Sequence, residues 1–228
     1  MSLNKAIAKA AHLIGDKTRV NILVALMEGR ALTAGELALR ANISPQTASN
    51  HLKKLLAAKL IAHVKTPTRY RYYKIASPLV ANALESLSLL TDSPKKRPPH
   101  HEKLDQDICF ARTCYDHLAG ELGVKVTNAL LDKEIIKENQ NYFQITPQGY
   151  HFFKELNIDC HSLLKQRRQF AKSCLDWTER EYHLAGSLGK ALLDHLINQG
   201  IVIPSKKKSR VLILTTKGKL WLQNKFNL

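Results

Sequence analysis

Residues 105–228 contain one sequence pattern twice, and this duplication constrains the fold more than any other feature of the chain. Residues 111–116 (Ala-Arg-Thr-Cys-Tyr-Asp) lead directly into residues 117–123 (His-Leu-Ala-Gly-Glu-Leu-Gly). Sixty residues later, residues 171–176 (Ala-Lys-Ser-Cys-Leu-Asp) are followed, after a six-residue insertion, by residues 183–189 (His-Leu-Ala-Gly-Ser-Leu-Gly). Two copies are fewer than a solenoid requires, so the pattern predicts a pseudo-symmetric pair that shares one core.

Each copy continues in the same order, with a helical stretch (residues 124–131 and 190–197), a β-type run and an aromatic helix. This order predicts two related α+β units, about residues 105–156 and 170–228, joined by residues 157–169. Each unit resembles a degenerate winged helix.

The repeated cysteine and histidine supply metal-ligand chemistry. Cys114 and His117 are three residues apart, so on a helix the two side chains would share a face. Thiolate and imidazole together suit zinc or a similar borderline metal. Two copies would supply four ligands around a pseudo-dyad, namely Cys114, His117, Cys174 and His183.

Other interpretations of the motif stay open. Cys114 and Cys174 could act as a redox-active thiol pair, and we expect these two residues to be close in space. A purely structural role is the strong alternative, because cysteine is among the most buried residue types and a duplicated unit keeps its folding motif. Binding of an organic ligand is the third alternative. Cys109 and Cys160 have no counterpart in the other copy and are interpreted as ordinary thiols.

A Cys–His pair also occurs in nucleophilic catalysis, with Asp116 or Asp176 available to orient the imidazole. Such triads are usually assembled from positions far apart in sequence, and this pattern occurs twice. The sequence has no Gly-rich phosphate loop, no Gly-x-Ser-x-Gly and no His-Glu-x-x-His. We therefore expect a protein that is not an enzyme, and a thiol-dependent enzyme remains the weaker alternative.

Residues 1–92 begin with four predicted helices, because apolar residues recur at helical spacing and the starts carry polar caps. These are residues 3–14, a helix capped by Asp16 that stops near Gly29, residues 34–41 with a capping box of Thr33 and Glu36, and residues 45–59 with Ser44 as N-cap and Pro45 in the first turn.

Two short β-type runs, residues 60–65 and 70–75, follow these helices and are joined by a turn at residues 66–69. A last helix is predicted over residues 78–90. This order predicts a winged helix-turn-helix, in which short helices lead through a tight turn into a further helix and then a basic hairpin. The second helix of such a unit is sized for the DNA major groove.

The helix over residues 45–59 has two different faces at 100° per residue. Ala48, Leu52, Leu55 and Leu56 share the side expected to pack inward. The opposite side carries amide and hydroxyl groups suited to base edges, flanked by lysines suited to phosphates. A plain polar surface helix is the alternative, and the basic wing favours DNA.

Four segments of this domain resemble the ArsR family of bacterial transcriptional regulators. Residues 13–23 look like the family's opening, residues 36–38 like the first helix of its turn motif, residues 49–55 like its recognition helix and residues 69–73 like its wing. The resemblance implies a homodimer built from the first and last helices of the domain. It also implies binding to double-stranded, roughly palindromic operator DNA and, usually, repression. Larger ArsR-like regulators carry an extension similar to the repeated pattern, which implies a regulatory domain.

The resemblance implies that Ser49 and His51 approach the DNA backbone, although a packed structural role explains His51 equally well. Many metal sensors of the family carry a Cys-Val-Cys cluster beside the first turn helix, whereas residues 1–92 contain no cysteine. The family's usual metal sites are therefore not expected in this domain. The residues expected to bind DNA are Ser44, Gln46, Thr47, Ser49, Asn50, His51, Lys53, Lys54, Arg69 and Arg71.

The positive charge is concentrated in the first part of the chain. Of the net charge of +16, residues 1–92 carry +8, residues 93–104 carry +3 and residues 105–228 carry +5. Residues 93–104 contain three prolines and are predicted to be a linker. A basic folded domain favours a nucleic-acid partner. A nucleoid-type protein without sequence preference is the main alternative, and the neutral base-reading face argues against it.

The 228 residues are enough for two domains. No apolar stretch approaches the ~18–20 residues of a membrane span, and Lys5 and Lys9 interrupt any secretory signal. These features predict a cytoplasmic protein without membrane contact, and the resemblance to the ArsR family implies a nucleoid-associated bacterial repressor. Its expected fold is mainly α with small β-hairpins (α+β), a winged helix-turn-helix followed by a duplicated winged-helix-like α+β domain. A signal sensed in that second domain, with zinc as the candidate metal, is expected to release it from DNA.

Overall fold

A computed structural model describes residues 2–64, 71–88, 106–140 and 142–228 of the chain. The residues group into two compact units, Met1–Leu84 and Glu85–Leu228, and each unit is treated separately below. The predicted linker, residues 93–104, lies outside the described residues, as does the predicted hairpin tip with Arg69.

The first unit is a winged helix-turn-helix with a small antiparallel sheet in the order β1-β3-β2. Its elements in chain order are α1 (Leu3–Ile14), α2 (Lys17–Met27), β1 (Leu32–Thr33), α3 (Ala34–Ala41), α4 (Pro45–Ala57), β2 (Ile61–Val64), β3 (Tyr72–Ile75) and α5 (Pro78–Ser88), whose last residues are grouped with the second unit.

The predicted caps of this unit are present. The Asp16 side chain accepts a hydrogen bond from the Arg19 backbone N–H. The Thr33 hydroxyl accepts one from the Glu36 backbone N–H, and the Glu36 carboxylate accepts one from the Thr33 backbone N–H. Because these contacts span only three residues, they are determined by local sequence. Helix α4 ends two residues earlier than predicted, since Lys59 adopts a left-handed conformation with φ 57°.

One element of this unit was not predicted. Strand β1 has only two residues, and it pairs Leu32 with Tyr73 and Thr33 with Tyr72. Two residues are too few to show an alternation of apolar and polar side chains, so the strand is defined only by its pairing with β3. The core beneath the sheet is built from buried aliphatic residues of α2, α3 and α4 and the sheet itself.

The second unit repeats one order of elements, as the duplication predicts. The first set is α6 (Gln106–Phe110), β4 (Arg112–Cys114), β5 (His117–Ala119), α7 (Glu121–Asp132), β6 (Ile136–Asn139), β7 (Tyr142–Ile145) and α8 (Pro147–Glu155), and the second set is α9 (Cys160–Leu164), β8 (Lys172–Leu175), β9 (Tyr182–Ala185), α10 (Gly186–Asn198), β10 (Val202–Pro204), β11 (Leu212–Leu214) and α11 (Thr216–Phe226).

The two sets are interleaved through their hairpins. Hairpin β8–β9 of the second set extends hairpin β6–β7 of the first, in a four-stranded sheet of order β6-β7-β8-β9. Reciprocally, Arg112 on β4 of the first set forms an isolated antiparallel bridge with Val211, the residue that precedes β11 of the second. Strands β5 and β9 contact each other at the middle of this arrangement. A single apolar core contains residues of both sets.

Two glycines explain why α7 and α10 begin before the predicted stretches. Gly120 has φ +82° and Gly186 has φ +80°, the left-handed region that favours glycine. A Cβ at either position would also meet a backbone carbonyl oxygen, at 2.6 Å from Cys109 and 2.5 Å from Gln169, respectively. The repeated Leu-Ala-Gly therefore marks the turn from a hairpin into a helix.

The α+β class predicted from the sequence is confirmed. Among the described helices, none combines the length and apolar character that a membrane crossing requires.

Candidate functional site

Helix α4 has the two faces that its sequence predicts. Ser44 caps it by accepting from the Thr47 backbone N–H at 3.1 Å, and Pro45 occupies the first turn. Ala48, Leu52 and Leu55 are buried against the core of the first unit, and Leu56 is half-buried. The exposed residues of the helix's other side are Gln46, Thr47, Asn50, Lys53 and Lys54.

Other predicted DNA-contacting residues differ in exposure. Ser44 and Arg71 are exposed, whereas Ser49 is half-buried. The His51 side chain is only 16% exposed, and its Nδ1 lies 3.8 Å from Asp16 Oδ1. His51 thus faces the cap of α2, a geometry that favours the packed role over the contact with DNA. Arg69 lies outside the described residues.

The repeated cysteines and histidines of the second unit lie on hairpins, so Cys114 and His117 do not share the face of a helix. Cys114 on β4 pairs directly with His117 on β5, and Cys174 on β8 pairs with His183 on β9. Directly opposed residues of an antiparallel pair place their Cβ atoms ~4.5–5.5 Å apart. A spacing of three residues fits a tight hairpin as well as a helix, and Tyr115 closes the turn with φ 58°.

The four side chains meet in one cluster. Their ligand atoms all lie within 4.8 Å of one another. The Sγ atoms of Cys114 and Cys174 are 3.9 Å apart, so the expected proximity of these two residues is observed. The Nε2 atoms of His117 and His183 are 3.0 Å apart. Cys114, His117 and His183 are buried and Cys174 is half-buried, and none of the chain's four cysteines, all of them described, forms a disulfide.

Each imidazole turns its second nitrogen toward the aspartate of its own copy. His117 Nδ1 lies 3.7 Å from Asp116 Oδ1, and His183 Nδ1 lies 3.6 Å from Asp176 Oδ2. Both Nδ1 atoms are buried without a hydrogen bond at ordinary length. Histidines that bind metals through Nε2 commonly direct Nδ1–H toward a carboxylate, which orients the ring and raises its basicity.

The two aspartates are held by arginines. Arg112 donates to Asp176 Oδ1 at 2.8 Å inside the unit, and Arg168 makes a bidentate contact with Asp116 nearer the surface. Burial alone would raise the pKa of Asp176, but the charges of Arg112 and His183 outweigh it and hold that pKa well below its usual range. Burial would likewise raise the pKa of Asp116, but the hydrogen bonds and charge of Arg168 outweigh it, so that pKa is lowered. Both aspartates are therefore carboxylates at neutral pH.

The thiols of the cluster differ in acidity. The hydrogen bond with Cys174, together with burial, raises the pKa of Cys114 to about 12. The same bond lowers the pKa of Cys174. Cys174 is therefore the sulfur of the pair that ionises first.

Two further charged residues border the cluster, and the sequence offered no signal for either. The Cys114 thiol donates to Glu85 Oε2 at 3.6 Å. Glu85 Oε1 in turn lies 2.5 Å from the Arg210 guanidinium, which also donates to the Thr113 carbonyl at 3.1 Å. Glu85 and Arg210 are 125 residues apart, so local pattern could not relate them.

The donor set fits a tetrahedral metal site. With Zn–S of about 2.3 Å and Zn–N of about 2.0–2.1 Å, tetrahedral geometry requires S···S of about 3.8 Å and N···N of about 3.3 Å. The observed separations, 3.9 Å and 3.0 Å, are close to both values. Two thiolates with two neutral imidazoles form a common ligand set for structural zinc. Cys114, His117, Cys174 and His183 are therefore the residues that could hold such an ion.

Comparison with solved structures finds proteins that are similar to about two fifths of the chain. A homodimeric winged helix-turn-helix DNA-binding domain from Mycobacterium bovis, a possible ArsR-family transcriptional regulator, is 24% identical, with 40% of this chain and 82% of that chain covered and a TM-score of 0.37. Reduced HlyU from Vibrio cholerae N16961 is 24% identical over 40% of this chain and 93% of its own, with a TM-score of 0.35. The cadmium metal-sensor CMTR from Mycobacterium tuberculosis is 32% identical over 38% and 94%, with a TM-score of 0.32.

Membership of a family is established by the sequence comparisons. A family model described as a helix-turn-helix domain matches residues 14–64, which contain α2, α3 and α4. The chain is also 42% identical over 225 residues, 99% of both chains, to an uncharacterised HTH-type transcriptional regulator of Bacillus subtilis (strain 168), YdfF. The chain therefore belongs to the HTH-type transcriptional regulators, and residues 14–64 are its helix-turn-helix domain.

Proposed function

We propose that this regulator is a homodimeric repressor whose affinity for its operator is controlled by a zinc-class metal bound in the second unit. One observation carries the sensing part: four donor atoms, two sulfurs and two nitrogens, lie within 4.8 Å of one another inside the unit. On this proposal the protein acts on chromosomal DNA in a bacterial cytoplasm.

The proposed DNA contacts come from α4 and the wing. Gln46, Thr47 and Asn50 present amide and hydroxyl groups that match the donors and acceptors of base edges. The residues proposed to contact the DNA backbone are Ser44, Ser49, Lys53, Lys54, Arg69 and Arg71. His51, which faces Asp16, is proposed to orient the N-terminal half of α4 rather than to read a base.

The proposed dimer uses the outer faces of α1 and α5. Leu3 and Ile7 on α1 are 74% and 58% exposed, and Leu79 on α5 is 75% exposed. Exposed aliphatic residues on two helices of one unit support an interface with a second copy. A twofold symmetric pair of recognition helices would in turn fit a roughly palindromic operator.

The proposed metal site assigns a role to each group of the cluster. Cys114 and Cys174 supply the charge that neutralises a divalent ion, and His117 and His183 complete the coordination. Asp116 and Asp176 orient the imidazoles. Such an ion would join β4–β5 to β8–β9 and so make the packing of the second unit depend on the signal. The structural alternative, in which the four residues serve folding alone, predicts no such dependence.

The DNA part is tested by selecting duplexes from a randomised pool with the purified full-length protein. A palindromic motif enriched over many rounds supports the proposal. A strong salt dependence with no enriched sequence would instead indicate a nucleoid-type protein.

The metal part is tested by measuring zinc content and operator affinity before and after chelation. We expect one zinc per chain, and an operator affinity that differs between the two states by about 5–150-fold, the usual range of coupling between sites, with the metal-bound form weaker. Cys174→Ser should lose both zinc and this difference. Cys160→Ser, a buried cysteine on α9 outside the cluster, is the matched control and should retain both. Zinc-free protein with unchanged operator binding on zinc addition would refute the metal role.

A further inference from the structure

We propose that the cluster is also a thiol switch: oxidation by a hydroperoxide joins Cys114 to Cys174 in a disulfide, which withdraws both sulfurs from the metal. The inference concerns regulation of the proposed metal site, and its metal-releasing consequence rests on that proposed function. The formation of the disulfide itself does not.

The two sulfurs are already near bonding distance. Their separation is 3.9 Å, whereas a disulfide has an S–S length of about 2.0 Å. Each sulfur therefore has to move by about 1 Å, which rotation about the Cα–Cβ bonds can supply. The other two cysteines lie outside the cluster. Cys109 is on α6 and Cys160 is on α9, and both are buried among apolar residues.

The two thiols differ in access, which assigns them different parts in the reaction. Cys174 is half-buried, whereas Cys114 is 8% exposed. A small hydroperoxide therefore reaches Cys174 first. Cys114 is the more buried of the two, and its thiol contacts Glu85 Oε2 at 3.6 Å.

The chemistry balances in two steps. The Cys174 thiolate attacks the peroxide O–O bond, forming a sulfenic acid at Cys174 and releasing the alcohol, or water in the case of hydrogen peroxide. The Cys114 sulfur then attacks the sulfenic sulfur, the S–S bond forms, and the sulfenic oxygen leaves as water. In total, two thiols lose two electrons and two protons, and one hydroperoxide is reduced to an alcohol and water.

The disulfide has a direct consequence for metal binding. Only thiolate sulfur is a strong zinc ligand, so one S–S bond removes both sulfur donors at once. His117 and His183 remain as two neutral ligands, half of a tetrahedral set. Oxidation and metal binding are therefore mutually exclusive states of the same four side chains.

The experiment treats zinc-loaded full-length protein with one equivalent of hydrogen peroxide. The reduced chain has four cysteines outside any disulfide, so thiols titrated in denaturant should fall from four to two. Tryptic mass spectrometry should identify one peptide pair linking residues 114 and 174. A chromophoric chelator should detect release of one zinc, and dithiothreitol should restore four thiols.

Variants assign the order of the steps. With Cys114→Ser, a sulfenic-acid trap such as dimedone should label Cys174, and with Cys174→Ser no label should appear at Cys114. Cys109→Ser is the matched control and should form the disulfide like the unaltered chain. Because the cross-link is measured in unaltered protein, the inference stays testable even if a variant fails to fold.

The outcomes separate this inference from the proposed function. A 114–174 disulfide in a protein that never bound zinc supports the switch and refutes the metal part of the proposed function. Zinc binding with four thiols still titrating after peroxide overturns the switch and leaves the proposed function intact. Irreversible oxidation of Cys174 without a cross-link, a disulfide through Cys109 or Cys160, or zinc retained by the cross-linked protein would also overturn it.

Discussion

His117 and His183 face each other across two related hairpins, with their Nε2 atoms 3.0 Å apart and their rings stacked at 5.0 Å between centroids. One imidazole comes from each copy of the duplicated pattern, and each directs its Nδ1 toward the aspartate of its own copy. The duplication thus brings two identical half-sites together, with Nε2 atoms toward the centre of the cluster and carboxylates behind.

Replacing Asp116 by Asn should weaken zinc binding by about 10–100-fold, the usual effect of removing a carboxylate that orients a metal-ligating histidine. Asp116 lies near the surface, so folding should be little affected. Competition against a calibrated chelator measures the change. The matched control is Asp194→Asn, which removes a carboxylate from an exposed i,i+4 pair with Lys190. Equal zinc affinities in the two variants would contradict the role given to Asp116.

The two arginine–aspartate contacts should differ greatly in their contribution to stability. Arg112→Ala leaves Asp176 as an uncompensated buried charge, which should lower the free energy of unfolding by about 3–5 kcal/mol. Arg168→Ala breaks a contact of similar chemistry with solvent access, which should cost about 1 kcal/mol or less. Denaturation by urea, monitored by circular dichroism, compares them. Similar losses would indicate that Asp176 is better solvated than its burial implies.

Replacing Gly186 by Ala should destabilise the second unit by roughly 2–5 kcal/mol, because the new Cβ meets carbonyl oxygens at 2.5 and 2.6 Å and the backbone has positive φ. Gly35→Ala is the matched control in α3, where a Cβ has open space. That change should be neutral or stabilising by up to about 1 kcal/mol. Thermal unfolding of both variants tests the contrast, and an unaffected Gly186→Ala protein would refute the strained turn.

Asn50→Ala should reduce discrimination at one base-pair position of each half-site by about 1–3 kcal/mol, since its exposed amide is proposed to read a base edge. Binding to a panel of duplexes with single base-pair changes measures this loss. If the preference at every position persisted, the base-reading role of Asn50 would be wrong.

Lys53→Ala serves as the contrasting variant on the same helix. Loss of a phosphate contact should weaken all duplexes about equally and reduce the salt slope by about 1. A weakening confined to one base pair would contradict the role given to Lys53. Replacing Arg71, the residue before β3, should have the same effect as Lys53→Ala if the wing follows the DNA backbone.

Local contacts explain which features were predictable. Asp16, Thr33 and Ser44 cap helices through bonds to residues three positions away, so the starts of α2, α3 and α4 follow from adjacent sequence. The inward face of α4 is also predictable from nearby sequence, because its apolar residues recur at helical spacing. The identity of the cluster was also predictable, because the duplication itself selects Cys114, His117, Cys174 and His183.

Non-local contacts explain what was missed. A run of three or four residues between two turns has no period that separates helix from strand, which is why the sequence did not place Cys114 and His117 on opposite strands of a hairpin. Strand β1 exists only through its pairing with β3. The Arg112–Asp176 ion pair joins residues 64 positions apart.

The sequence by itself thus determined the winged helix-turn-helix, the polar face of α4 and the four residues of the cluster, since each depends on short-range spacing or on repetition. Only the tertiary structure decided that the thiols and imidazoles converge. It interleaves the hairpins of the two copies, so that β5 contacts β9 and the cross-strand pairs Cys114–His117 and Cys174–His183 oppose each other. The physical reason is that antiparallel pairing and core packing join residues about sixty positions apart, where sequence spacing carries no information on distance.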